Sequence, residues 1–559
     1  MHRLARRALA GGAILCAIPL AHAARPRVYA LTGGTIHVAP GRTLSGATLV
    51  LRDGLVEAVG KDVKIPADAT TIDATGLSIY PGFIDAGGFV AGADAAPAPS
   101  SGGGGGAGAR PAARREAETG PVLPYPVVRP ERRASDLLQP FEGERARDAA
   151  SLRQIGFTAA VAAPPRGVFR GESALVLLAE DTRVADLLVR DPVFQHVAFE
   201  TAGFGEGYPT SVMGAAALLR QTLLDAKRDA DWSRRYERDP SGMARPEVYP
   251  GLRALRPVLE RSVPLLLEAS SADDLLLADR IAREMGVELV VLGSGTEAEI
   301  ASQVAKTGRT LVYPARFPDK PKVDDADEAL DVTLEQMRRY LDAAAAPKAL
   351  RQAGVPLALT ARGLKNPADF PANVRKMLDA GLSEDDALGA LTTVPAKLLG
   401  VDRSMGTLEP GKIANVLVAD GALFAKDTKL KRVFVDGTDY TIEEKAKPKG
   451  DPNAVVDPRG TWSVAIDFGG TTVQRTWTIT GTKGAYAGTA ETRSGTVTFD
   501  KVELDGNRLT VTFPASEGRG SYEATVIVTG EAFEGTSEMG SRTATLTGTR
   551  TSGPSGGER

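Results

Sequence analysis

Few side chains in this 559-residue chain have the type and spacing for chemistry. Asp85, Glu200 and Glu268 sit at or just past the ends of the apolar runs Ile79–Ile84, His196–Glu200 and Val263–Glu268. Enzymes built on strand barrels carry their reactive groups at strand ends. Two carboxylates there could trade a proton as acid and base, or hold a hard cation through oxygen. Arg362 follows the run Val355–Thr360 and is a candidate partner for Glu268. Such a pair has three readings: a structural salt bridge, a pocket for a carboxylate or zwitterion, or a new catalytic site. Glycine-rich phosphate loops and nucleophile elbows are absent, because Gly102–Gly106 neither follows a strand nor opens a helix. Histidine occurs as His2, His22, His37 and His196, and cysteine once, as Cys16. His196 begins a strand, where a histidine is more often packed or solvated than a ligand.

The N-terminus reads as a secretory signal. Arg3, Arg6 and Arg7 precede an apolar stretch from Ala8 to Ala21, and Ala21-His22-Ala23 satisfies the small-x-small cleavage rule. The stretch is shorter than the ~20 residues a bilayer crossing needs, so no stable membrane anchor is expected. Cleavage after Ala23 predicts an exported protein, periplasmic or secreted, beginning at Ala24. It removes His2, His22 and Cys16 and leaves His37 and His196 as the only histidines. A disulfide within one chain is excluded by counting, and the mature chain cannot assemble a four-ligand Cys/His zinc site.

Positioning falls to the elements between. Residues 24–80 and 400–445 read as short strands and turns, with Asp53-Gly54 as a hairpin dipeptide. Residues 91–120, rich in Ala, Gly and Pro, read as a flexible insert. The region 81–399 alternates apolar runs with helical stretches such as Ala272–Glu284 and Glu297–Ala305. Its strand candidates are Ile79–Ile84, Phe157–Ala163, Ala174–Ala179, His196–Glu200, Val263–Glu268, Val287–Leu292, Thr310–Tyr313 and Val355–Thr360. Eight strands with intervening helices predict an α/β fold of the (β/α)8 TIM type, with a doubly wound sheet as the alternative. Ser211 is suited to cap a helix with Ala215, Leu218, Leu219 and Thr222 on its apolar face. A polar linker, 446–459, leads to residues 460–559. There the apolar/Thr alternation predicts an antiparallel β-sandwich or small barrel.

Two flanking segments carry a family pattern. The first is Gly54-Leu55-Val56-Glu57-Ala58-Val59-Gly60, Ile72-Asp73-Ala74-Thr75-Gly76 and Pro81-Gly82-Phe83-Ile84-Asp85. The second is Val394-Pro395-Ala396-Lys397-Leu398-Leu399-Gly400, then Gly406-Thr407-Leu408-Glu409-Pro410-Gly411-Lys412-Ile413-Ala414-Asn415. Together they resemble the amidohydrolase superfamily, in its imidazolonepropionase-like and dihydroorotase-like branches, over about 27–440. The resemblance implies a (β/α)8 barrel, a composite β-sandwich built from both flanks, and hydrolysis of C–N bonds other than peptide bonds at zinc or a related divalent metal. It also implies a His-x-His pair where this chain has Gly87 and Phe89. A further histidine would stand at Glu268, another at Gly293, and a catalytic aspartate at about Arg362. None of these can supply the family's histidine-rich site, so no metal cofactor is expected.

Composition narrows the partners. Lys+Arg 67 against Asp+Glu 70 gives a net charge of −3, and aromatics are 5%. Neither duplex nor single-stranded nucleic acid is an expected partner. The sequence therefore predicts an exported, catalytically degenerate amidohydrolase-like protein. It would bind a small polar molecule or a partner, either a second copy of itself or an active relative of the same fold. The alternative is an active hydrolase of amide or cyclic amide bonds with a non-histidine site.

Overall fold

The structure, a computed structural model, describes residues 28–553 apart from 92–122, 143, 181–182, 202–206, 322, 324–325, 365, 443–449, 468–471, 493–494, 515–520 and 540–541. The expected signal segment and the glycine-rich insert beyond Ala91 lie outside the described residues.

Strands from both flanks of the chain share one eight-stranded sheet. Val416–Ala419 lies antiparallel to Ser78–Pro81, and Val28–Ala39 pairs with Arg42–Arg52. The Asp53-Gly54 turn has positive φ at both residues, 51° and 79°, as a type I′ hairpin requires. Leu31, Ile36, Val416 and Phe434 are fully buried in this sheet's own core.

The central region is mixed α/β. Phe83–Val90 and Phe157–Ala163 are parallel neighbours. In a second sheet, Gln195–Ala198, Leu265–Glu268, Leu289–Leu292, Leu311–Pro314 and Leu357–Thr360 run parallel in chain order. Most are wholly buried apolar runs, as parallel strands covered on both faces must be. Every strand candidate from the sequence contains a strand, with two departures. Gly82 divides Ile79–Ile84: Ser78–Pro81 belongs to the flank sheet, and Phe83–Val90 opens the central one. Ala174–Leu177 runs antiparallel to Phe157–Ala163, whereas a (β/α)8 barrel needs eight parallel strands. The reason is the connection: residues 164–173 separate Ala163 from Ala174, and they hold the strand Phe169–Glu172 rather than a crossover helix.

Helices pack between these strands and start where the caps predict. Val212–Arg238 is capped by the Ser211 hydroxyl, which accepts from Gly214 N, and it buries Ala215, Leu218, Leu219 and Thr222. Ala272–Met285 begins at Ser271 and stops at Gly286, φ 72°. No helix of the described residues is long and apolar enough to cross a membrane.

Residues 460–552 form a nine-stranded antiparallel sheet. It is one curled sheet rather than two packed ones, because Gly460–Asp467 pairs with both Thr472–Thr482 and Arg542–Ser552. Its separate core holds Trp462, Trp477 and Phe533, with ring centroids 5.0 and 5.6 Å from Phe533. Thr472 and Thr480 face outward, while Thr525 is buried. Gly548 makes room inside, since a Cβ there would lie 2.2 Å from the Phe533 ring.

Candidate functional site

Four of the charged side chains meet at the C-terminal ends of the central strands. Glu268 ends Leu265–Glu268. Its Oε2 accepts from Arg362 Nη2 at 2.7 Å and from Arg170 Nη1, also at 2.7 Å. Arg170 Nη2 reaches Glu200 Oε2 at 3.3 Å, and Gly167 N donates to the same oxygen at 2.9 Å. Arg362 Nη1 donates to Gly87 O at 3.3 Å. Both guanidiniums are largely buried, at 11% and 15% side-chain exposure, so this is not a solvated surface pair. Burial pushes the Glu268 carboxyl up, but Arg362 and Arg170 outweigh it and hold it down at about 2.

His196 lies beneath this network, 1% exposed, and neither ring nitrogen has a protein hydrogen-bond partner. Burial, with the Arg362 and Arg170 charges, lowers its pKa to about 3, so the imidazole is neutral at ordinary pH. His37 is elsewhere, stacked on Tyr80 in the flank sheet at 4.1 Å with Nδ1 3.0 Å from the Thr43 hydroxyl.

Asp85 is not part of a catalytic acid pair. It is 1% exposed and accepts from Gly87 N and Gly88 N at 2.9 Å, from Ala361 N at 3.2 Å and from the Thr360 hydroxyl. These bonds join the last central strand to the first. Burial raises its carboxyl pKa, and the four hydrogen bonds offset this only in part. The Phe83–Val90 strand bulges here, since Asp85 opposes Ala160 but Phe89 opposes Ala162. Gly88, φ 59°, approaches Val161 O so closely that a Cβ would lie 1.7 Å from it.

The residues present do not fit a metal. At Gly87 a Cβ would lie 2.4 Å from Thr360 Oγ1, so Thr360 fills the space a larger side chain would need. Phe89 packs on Phe141, ring centroids 6.0 Å apart. Gly293 faces the Glu297 carboxylate, 3.0 Å from an added Cβ, but Glu297 is consumed by Ser294 N, the Ser294 hydroxyl and Gly295 N. Two guanidiniums hold Glu268 and oppose a further cation there. Among the described residues no group of three or more His, Cys, Asp or Glu side chains is arranged to hold a metal ion.

Arg170 was not among the sequence candidates, and His196 was read as packed or solvated. Arg170 lies at a break in register between Phe169–Glu172 and Gln195–Ala198, next to Gly171 at φ 123°. A bulge of this kind re-aims a side chain. The available signal was a glycine inside a β-rich stretch.

Residues 270–442 match the family model described as the amidohydrolase family. Comparison with curated proteins gives no match. Among solved structures, an amidohydrolase from Thermotoga maritima is 24% identical, with a TM-score of 0.58 over 74% of this chain and all of that one. A Xaa-Pro dipeptidase with bound methionine is 14% identical, with a TM-score of 0.43 over 74% of this chain and all of its own. The flank motifs and the matched segment point the same way: residues 270–442 are similar to the amidohydrolase family, and the fold is similar to that of the Thermotoga maritima amidohydrolase.

Proposed function

We propose that this chain keeps the amidohydrolase frame as a ring of strands with one reversed member, closed at the Asp85–Thr360 seam. Its metal centre is replaced by an ion network, and it works by binding rather than by metal-dependent hydrolysis. The match of residues 270–442 to the amidohydrolase family model supports hydrolase-type chemistry as the background of the fold. The observation that carries the reading is the sharing of Glu268 between Arg170 and Arg362. A carboxylate held at about 2 is ionised at neutral pH and cannot donate a proton. Arg170 bridges Glu200 and Glu268, so the two acids do not act as a free acid–base pair. The charged N-terminus and its Ala-x-Ala site support export, with a mature start at Ala24. The ligand is a small polar molecule, and a second copy or an active relative of the same fold is the candidate partner.

A hydrolysis assay tests this. The full mature chain is incubated with cyclic and N-acyl amides, with and without added zinc. The expected result is no zinc-dependent turnover. Turnover that a chelator abolishes and zinc restores would overturn the reading.

A further inference from the structure

The strand-end network leaves its own centre crowded, but a cleft of about 770 Å³ opens beside it. That is within the size range of small-molecule sites. Its walls come from the loops after Leu289–Leu292, Leu311–Pro314 and Leu357–Thr360 and from helices Ala346–Gln352 and Phe370–Asp379. Arg316 and Lys376 both line the cleft, and both are tied to the segment around Phe317. Arg316 Nη2 donates to Ser294 O at 3.1 Å. Gly363, φ 81°, comes so near that a Cβ would lie 3.0 Å from Arg316 Nη1. The guanidinium is thus held between two strand-end loops and its orientation is set in advance. Lys376 Nζ lies 5.4 Å from the centroid of the Phe317 ring.

Among the described residues no carboxylate pairs with Arg316 or Lys376. Arg339, which also lines the cleft, differs: Glu299 holds it at 2.6 Å and Glu335 pairs with it too. Four acids line the cleft, Glu299, Asp319, Asp342 and Asp369. Glu299 is engaged by Arg339, Asp319 has a partner of its own, Asp342 ends the helix Leu334–Asp342, and Asp369 lies at the N-terminus of Phe370–Asp379, where the helix dipole already favours its charge. Phe317, Leu364 and a row of alanines supply an apolar wall next to the two cations.

We propose that this cleft binds a small carboxylic acid with a flat apolar body. The carboxylate lies between Arg316 and Lys376, and the body lies against Phe317 and Leu364. This rests on the proposed function only in taking binding to be the chain's work, and it places the ligand beside the ion network rather than in it.

The test uses the full mature chain and three probes of one shape: 3-phenylpropionate, its uncharged amide, and 2-phenylethylamine. Calorimetric titration should give saturable binding of the acid, at least about tenfold tighter than the amide, and no preference for the amine. Arg316→Met and Lys376→Met should each weaken the acid at least about tenfold, the scale of one lost charge-assisted hydrogen bond. Circular dichroism checks that each variant is folded, and either variant alone carries the test if the other is not. Absent saturable binding, equal affinity for acid and amide, or preference for the amine would overturn the proposal. So would a loss of binding in Arg362→Met with Arg316→Met unaffected, since the ligand would then sit in the ion network. Zinc-dependent turnover is a separate readout and would overturn the parent reading without changing which variants weaken the acid.

Discussion

Arg170 and Arg362 donate to the same oxygen of Glu268, each at 2.7 Å. The shared carboxylate ties three strand regions together, Phe169–Glu172, Leu265–Glu268 and the end of Leu357–Thr360. Removing it leaves two largely buried guanidiniums facing each other. Glu268→Gln should therefore destabilise the chain by about 1–3 kcal/mol, below the ~3–5 kcal/mol of a fully buried broken pair because Glu268 is partly exposed. Arg362→Met in the Glu268→Gln background should cost less than Arg362→Met alone. Urea unfolding of the four proteins measures the coupling, and additive effects would mean that the pair contributes nothing specific.

His196 makes stability depend on pH with a definite sign. Its folded pKa, about 3, lies below the ordinary 6.5. Between those values the unfolded chain takes up a proton that the folded chain refuses. Stability should fall as pH drops through this window, by up to about 1.4 kcal/mol per pH unit from this group. The raised Asp85 carboxyl acts in the opposite sense, so the informative quantity is the difference from a His196→Asn variant. Urea unfolding between pH 7 and 4.5 should show a shallower decline in the variant. Nitrogen-15 spectra of labelled histidine provide a direct check, and a His196 ring titrating near 6.5 would contradict the assignment.

Restoring one family histidine should fail for steric reasons. Gly87→His drives a Cβ into Thr360, whose hydroxyl is bonded to Asp85. A loss of about 1–3 kcal/mol is expected, as for overpacking in a dense core. Adding Thr360→Ser, which removes only the methyl and keeps the hydroxyl that the Cβ meets at 2.4 Å, should recover little of it. Thermal unfolding of Gly87→His indistinguishable from the parent would show that the space is not filled.

The C-terminal sheet should fold without the rest. Its core residues form a cluster of their own around Trp462 and Trp477. A fragment from Gly450 to Arg559 should show a near-ultraviolet tryptophan signal and cooperative unfolding. In the same fragment Gly548→Ala should be destabilising, because its Cβ would enter the Phe533 ring. An unstructured fragment would place part of its stability in the neighbouring region.

The apolar runs made nearly every central strand legible, and Ser211, Ser271, Gly286 and Asp53-Gly54 marked local starts, stops and turns. These signals act over a few residues. The reversal of Ala174–Leu177 depends on residues 164–173 carrying a strand instead of a crossover helix, which only matters once the neighbouring strand is placed. The pairing of Glu268 with Arg362 could be proposed from strand ends alone. The second arginine could not, because a bulge at Arg170-Gly171 aims it inward. Glu297 escaped notice because its carboxylate folds back onto Ser294 and Gly295 to fill the space beside Gly293.

The central claim is that an ion network stands in place of a metal centre, and metal content tests it most directly. The chain from Ala24 onward should be purified from zinc-supplemented, manganese-supplemented and iron-supplemented cultures, without chelator, and analysed by elemental mass spectrometry beside Glu268→Gln. The account predicts far less than one transition metal per chain in both proteins. One tightly held zinc, manganese or iron per parent chain, reduced in the Glu268→Gln variant, would contradict it.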